Sequence, residues 1–190
     1  MIYEIILTTR NNDGSTHIVP LGIRYQDEHV VLAPFRPSAT LDNVLREKHA
    51  VVNFTDDVRI FAGCLTGRWQ WPLVPAAEVS GMRLQNSLAH TEVELVRMEE
   101  DEARPRLICG VLHAATQAPF RGFNRAQSAV VEACILVSRL HLLTEEKVRS
   151  EIDYLRIAIS KTAGQKEAEA WQWLMDKVDA HYTATPGSAA

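Results

Sequence analysis

Phe35-Arg36-Pro37-Ser38-Ala39-Thr40-Leu41-Asp42-Asn43 reads as a strand exit followed by an arginine, two hydroxyls and a helix start. The first N–H groups of a helix lack partners within it, and the aligned peptide dipoles make that end electropositive. Arg36, Ser38 and Thr40, with Asn43 one turn on, can complete a phosphate site there. The same residues also suit a plain helix cap with Arg36 in solvent.

A flavin mononucleotide asks three things of a protein: a cationic, donor-rich cup for its phosphate, strand backbone for its pyrimidine edge and an apolar wall for its ring. The Arg36–Asn43 turn supplies the cup. Leu7-Thr8-Thr9-Arg10 and Val19-Pro20-Leu21-Gly22 supply the backbone edge, where Pro20 interrupts a strand ladder and Gly22 permits close approach of a ligand. An ordinary hairpin accounts for those segments equally well.

Arg121-Gly122-Phe123-Asn124-Arg125 is a second unusual place. Asn124 reads as an N-cap, yet Arg125 then puts a cation in the first helical turn, where the dipole disfavours it by about 0.3–1 kcal/mol. Either an acid such as Glu132 sits alongside, or Arg121 and Arg125 face a bound anion.

Other chemistries find little support. The seven histidines form no H-E-x-x-H and no ligand spacing with the cysteines, so no metal is expected. Asp56-Asp57 reads as a turn. Dinucleotide and nucleoside-triphosphate fingerprints are missing, as is G-x-S-x-G. Cys64, Cys109 and Cys134 are far apart and odd in number, which suggests buried free thiols in a reducing compartment.

The elements that must position these groups change character along the chain. Residues 2–116 are rich in β-branched and aromatic residues cut by turn signals, the pattern of an antiparallel barrel or sandwich. Strands are expected near 2–9, 16–24, 28–34, 49–55, 58–66, 89–98 and 106–116, with Asp13-Gly14 turning the first hairpin. Between the third and fourth, Leu41, Val44 and Leu45 share a face of a short helix that would plug a barrel end. Trp69 and Trp71, near Pro72 and Pro75, offer an apolar surface for barrel packing, a lid or a dimer interface. From 124 the period becomes helical: a buried helix over Arg125–Leu143, a second after Thr144 ending near Gly164, and a third over 165–182. Residues 183–190 are small and polar enough to fray. The expected organisation is a barrel over 1–120, a helical subdomain over 121–182 and a tail over 183–190.

With 190 residues, 46% of them apolar and 23% charged, the chain can bury a core without staples. A formal charge of −4 and no basic stripe argue against nucleic acid as the partner. Ala129 to Leu143, the most apolar stretch, is too short and charged to span a bilayer, and the start lacks signal-peptide features, so a cytoplasmic protein is expected.

Thr8-Thr9, Asp13-Gly14, Pro20-Leu21-Gly22, Ser38 to Asn43 and Val52-Asn53-Phe54-Thr55, in that order, resemble the flavin-reductase-like split barrel. Gly122-Phe123-Asn124-Arg125-Ala126 and Lys161-Thr162-Ala163-Gly164 narrow the likeness to a domain-of-unknown-function family of such barrels with a C-terminal helical extension, found in methanogens and in tetrahydromethanopterin-using methylotrophs. The resemblance implies an α+β fold, bound FMN, a homodimer with flavin at or near its interface, and Thr8, Thr9, Pro20, Leu21, Arg36, Ser38, Thr40, Asn43 and Asn53 as flavin neighbours. It also implies redox exchange with a small molecule, a nicotinamide or a deazaflavin, linked to pterin-dependent one-carbon metabolism, or else a non-catalytic flavin carrier or sensor.

Overall fold

A computed structural model describes residues 1–184. Two compact units emerge, one of Met1–Asp56 with Gln70–Phe120, the other of Asp57–Trp69 with the chain from Arg121 on.

The first unit is a closed antiparallel barrel. Its strands are β1 (Tyr3–Arg10), β2 (Thr16–Gln26), β3 (His29–Leu32), β4 (His49–Phe54), and, after a separate small hairpin of β5 (Leu73–Pro75) and β6 (Met82–Leu84), β7 (Ala89–Glu99) and β8 (Arg106–Thr116). Neighbours run β1-β2-β3-β8-β7-β4, and β4 pairs back onto β1. Alternate residues such as Ile5, Leu7, Ile23, Val30, Leu32, Val52, Leu107 and Cys109 fill the interior, as the period of two requires. The α+β expectation, an antiparallel barrel followed by helices, holds.

Local chemistry explains several joints. Gly14 sits at φ 84° in the first hairpin turn, where the Gly14 N–H donates to Asn11 O at 3.0 Å. Pro20 pairs opposite Ile6, while β3 meets β2 only from Ile23 on, so Pro20 occupies a half of the strand with one free edge. Helix α1 (Ala39–Glu47) starts at Ser38, whose hydroxyl accepts the Leu41 N–H at 3.2 Å. Its Leu41 and Val44 join the barrel core, so α1 is the expected plug.

One expected strand is a correction. Residues 58–66 form helix α2 (Arg59–Leu65) instead, with Ile60, Phe61, Ala62, Gly63 and Cys64 all buried. A five-residue apolar run shows no period of two, and burial on all sides suits a helix packed among helices as well as a central strand. Its segment belongs to the second unit, with α3 (Arg125–Ser138), α4 (Glu145–Thr162) and α5 (Gln165–Ala184).

Asn124 caps α3, accepting from Ala126 N at 2.7 Å, and Thr144 caps α4, accepting from Lys147 N at 3.4 Å. The helix expected to reach Leu143 ends at Ser138, with a 3-10 turn at Leu140–Leu142. Trp171, Leu174 and Val178 are buried on α5. Helix α5 continues through Ala184, and the rest of the expected tail lies outside the described residues. Among the described residues no helix is long and apolar enough to cross a membrane.

Candidate functional site

The start of α1 gathers more polar groups than its own turn contains. The Ser38 hydroxyl takes the Leu41 N–H, which leaves the N–H groups of Ala39 and Thr40 beyond reach of any intrahelical carbonyl. Thr40 is buried, and its hydroxyl lies 3.2 Å from His17 Nε2 on β2. Burial pushes the pKa of His17 below its ordinary value, so the ring favours its neutral form.

One turn on, the Asn43 carboxamide donates to Thr9 Oγ1 at 3.1 Å and to Asn11 Oδ1 at 2.9 Å. Its own oxygen accepts from the Arg46 guanidinium at 3.0 Å, and Arg46 also donates to the carbonyl of Arg10. Thr9, Thr40 and Asn43 are thus brought together at the barrel end, joined by His17, Asn11 and Arg46, to which sequence reasoning had given no role.

Thr8 and Asn53 lie on the other face of β1 and β4. Thr8 Oγ1 donates to Met82 O at 2.6 Å, and Asn53 Oδ1 accepts the Leu84 N–H at 2.8 Å. Both are buried beneath β6, holding the small hairpin to the barrel. Pro20 and Leu21 are half-buried in β2, three or more pairs along the ladder from Thr9. The space beside Gly22, expected to admit a ligand, is taken by the Ile2 side chain, whose Cγ2 would be 2.8 Å from an added Cβ. Arg36 is exposed and pairs with Glu100 at 3.1 Å.

Beside Thr9 opens a cavity of about 390 Å³, bounded on one side by Arg10, Gly14 and Thr16 and on the other by Pro75, Ala76 and Val79 to Met82. Glu92 fixes this second wall. Its fully buried carboxylate accepts the N–H groups of Ala77, Glu78 and Val79 at 2.6, 2.7 and 3.0 Å. Burial alone would raise its pKa, but these backbone donors and His90 outweigh it and hold Glu92 below the usual carboxylate value.

In the helical unit, Arg121 and Arg125 are exposed and make no ion pair among the described residues. Asn124 spends its side chain on capping and on Thr162 O at 3.1 Å. Asp57 begins a turn, as expected, accepting Arg59 Nη2 at 2.7 Å and pairing with Lys166 at 3.1 Å. Cys64, Cys109 and Cys134 are buried and in the thiol form, and burial pushes all three thiols up to about 12.

A family model described as the N-terminal domain of DUF447, a protein of unknown function, matches residues 3–118, and the DUF447 model itself matches 124–176. No curated protein matches the chain. Among solved structures, the FMN-bound DUF447 protein MM1853 of Methanosarcina mazei is similar at 24% identity and TM-score 0.79, over 93% of this chain and 94% of that one. Pseudomonas fluorescens 2-nitrobenzoate 2-nitroreductase matches at 17% identity and TM-score 0.52 (60% and 64% covered). The flavin reductase of styrene monooxygenase from Pseudomonas putida matches at 14% and 0.52 (60% and 81%). The barrel is therefore of the flavin-reductase-like kind, with a C-terminal helical extension.

Proposed function

The chain belongs to the DUF447 family, and from that premise we propose that it binds FMN and exchanges electrons with a small molecule in the cytoplasm. The observation that carries this reading is the donor set at the start of α1. Two backbone N–H groups outside the helical ladder and the Ser38 and Thr40 hydroxyls have the chemistry of a phosphate cup, which the Asn43 carboxamide ties to the barrel wall. The exposed Arg36–Glu100 pair costs little to open, which leaves Arg36 available to the same anion. The FMN bound to the similar M. mazei protein supports the choice of ligand.

In this reading Ser38, Thr40 and Arg36 hold the phosphate, Asn43 fixes the helix start beside it, and Thr9, Pro20 and Leu21 border the rest of the nucleotide. Thr8 and Asn53 shape that border by fixing β6. FMN, when bound, supplies the acceptance and release of one or two electrons. The protein's part is to orient the ring, exclude water and set hydrogen bonds around it. Arg121 and Arg125, exposed on either side of the Asn124 cap, offer a separate anion contact for a substrate, and a nicotinamide, a deazaflavin or a pterin-linked one-carbon compound is the redox partner.

A homodimer completes the proposal. Val96, Val111 and Leu112 on the β7–β8 hairpin are 55%, 46% and 45% exposed, apolar side chains that a second copy would cover.

The test is the visible spectrum of the purified protein, followed by anaerobic reduction with nicotinamide nucleotides or reduced deazaflavin. Yellow protein that releases FMN on denaturation and turns over with a donor supports the proposal. Bound but inert flavin would assign a carrier or sensor, and colourless protein that takes up no FMN would overturn the reading.

A further inference from the structure

We propose that His90, Glu92 and His113 form a binding site for a divalent transition metal of the zinc class. His90 and Glu92 are two apart on β7 and so project from the same face. His113, on β8, is the cross-strand partner of Glu92. One ligand atom from each of the three lies within 4.8 Å of the other two.

The spacing suits a metal. His90 Nε2 and Glu92 Oε1 are 3.2 Å apart. With metal–nitrogen and metal–oxygen bonds of about 2.0–2.2 Å, two ligands on a tetrahedral centre sit roughly 3.3 Å from each other. An ion can therefore take the place of the hydrogen bond between these two side chains. His113 is the residue that a hydrogen-bond network alone does not explain, because among the described residues its ring makes no hydrogen bond and lies 5.5 Å from that of His90.

The surroundings already hold the ligands as a metal site requires. Glu92 is kept ionised and oriented by the N–H groups of Ala77, Glu78 and Val79. Gln117 lies 3.0 Å from His90 Nδ1. As His90 Nε2 becomes a ligand its proton moves to Nδ1, and the Gln117 carboxamide, turned by 180°, accepts it. Two imidazoles and one carboxylate favour zinc, cobalt, nickel or copper over calcium or magnesium, which prefer all-oxygen sites. Three protein ligands leave a fourth position for water. The ion would clamp β7 and β8 to the turn that forms one wall of the cavity beside Thr9.

The experiment titrates the full-length protein, stripped with a chelator, with Zn²⁺, by calorimetry and by competition against a chromogenic chelator. The expected result is one equivalent per chain and a raised melting temperature that the chelator reverses. His113→Ala and His90→Ala should each weaken uptake by more than about tenfold. His141→Ala, which alters a histidine near His181 in the helical unit, should leave uptake unchanged. His113 is only half-buried, so if His90→Ala fails to fold, His113→Ala alone decides. No saturable uptake, or uptake that survives His113→Ala, would overturn the proposal.

Discussion

Asn43 on the plug helix donates to Thr9 on β1 across 3.1 Å, so one carboxamide joins the candidate phosphate cup to the barrel wall. The same side chain also serves Asn11 and Arg46. Because Asn43 is 3% exposed and Thr9 beneath it is buried, Asn43→Ala leaves the Thr9 hydroxyl without its donor and takes a partner from half-buried Asn11 and from Arg46. A loss of about 1–3 kcal/mol is expected from urea denaturation. FMN retention should fall with it, as the plug helix loosens.

Arg36 separates folding from binding. Its pair with Glu100 leaves the two side chains 39% and 66% exposed, so the pair contributes little to stability. Arg36→Ala should leave the urea midpoint nearly unchanged while weakening FMN affinity by more than about fivefold, the equivalent of about 1 kcal/mol. Fluorescence titration with FMN measures this. Glu100→Gln, which frees the guanidinium, should bind at least as tightly as the parent.

Much of this was legible in the sequence, and the legible parts are local. Ser38, Asn124 and Thr144 are caps because a short polar side chain before an apolar run has few other uses, and Asp13-Gly14 turns because glycine tolerates φ 84°. What stayed hidden depends on register. Asn11 meets Asn43 across 32 residues, and Thr8 meets Met82 across 74. A bulge where Val93 pairs Val111 leaves Glu92 opposite His113, a phase that no local pattern reveals. The run Ile60–Cys64 was misread for the same kind of reason: without periodicity, only its neighbours decide between strand and helix.

His17 gives the protein an acid-sensitive edge. Burial lowers its folded-state pKa below the ordinary 6.5. Below that pH the unfolded chain binds a proton that the folded one resists, so the contribution is fully present above about 6.5 and is lost as pH falls through the folded value. His17→Gln should flatten the pH dependence of the urea midpoint between about pH 5 and 7. An unchanged slope would show that His17 titrates alike in both states.

Glu92 should be the costliest single carboxylate to remove from the barrel unit. Glu92→Ala takes the acceptor from three N–H groups at once, and a loss of about 3 kcal/mol or more is expected. Hydrogen exchange at Ala77, Glu78 and Val79 should rise first. Its folded-state pKa lies below 4.5, so the stability it contributes is present above that pH and disappears as pH falls through the folded value. Acid denaturation of the parent and of Glu92→Gln, followed by circular dichroism, checks the sign.

The thiols carry a practical consequence. With pKa values pushed to about 12, Cys64, Cys109 and Cys134 hold roughly one sulfur in a hundred thousand as the reactive anion at neutral pH. Alkylating reagents and peroxide therefore find nothing to attack until the polypeptide opens. The rate of maleimide labelling becomes a built-in clock of unfolding.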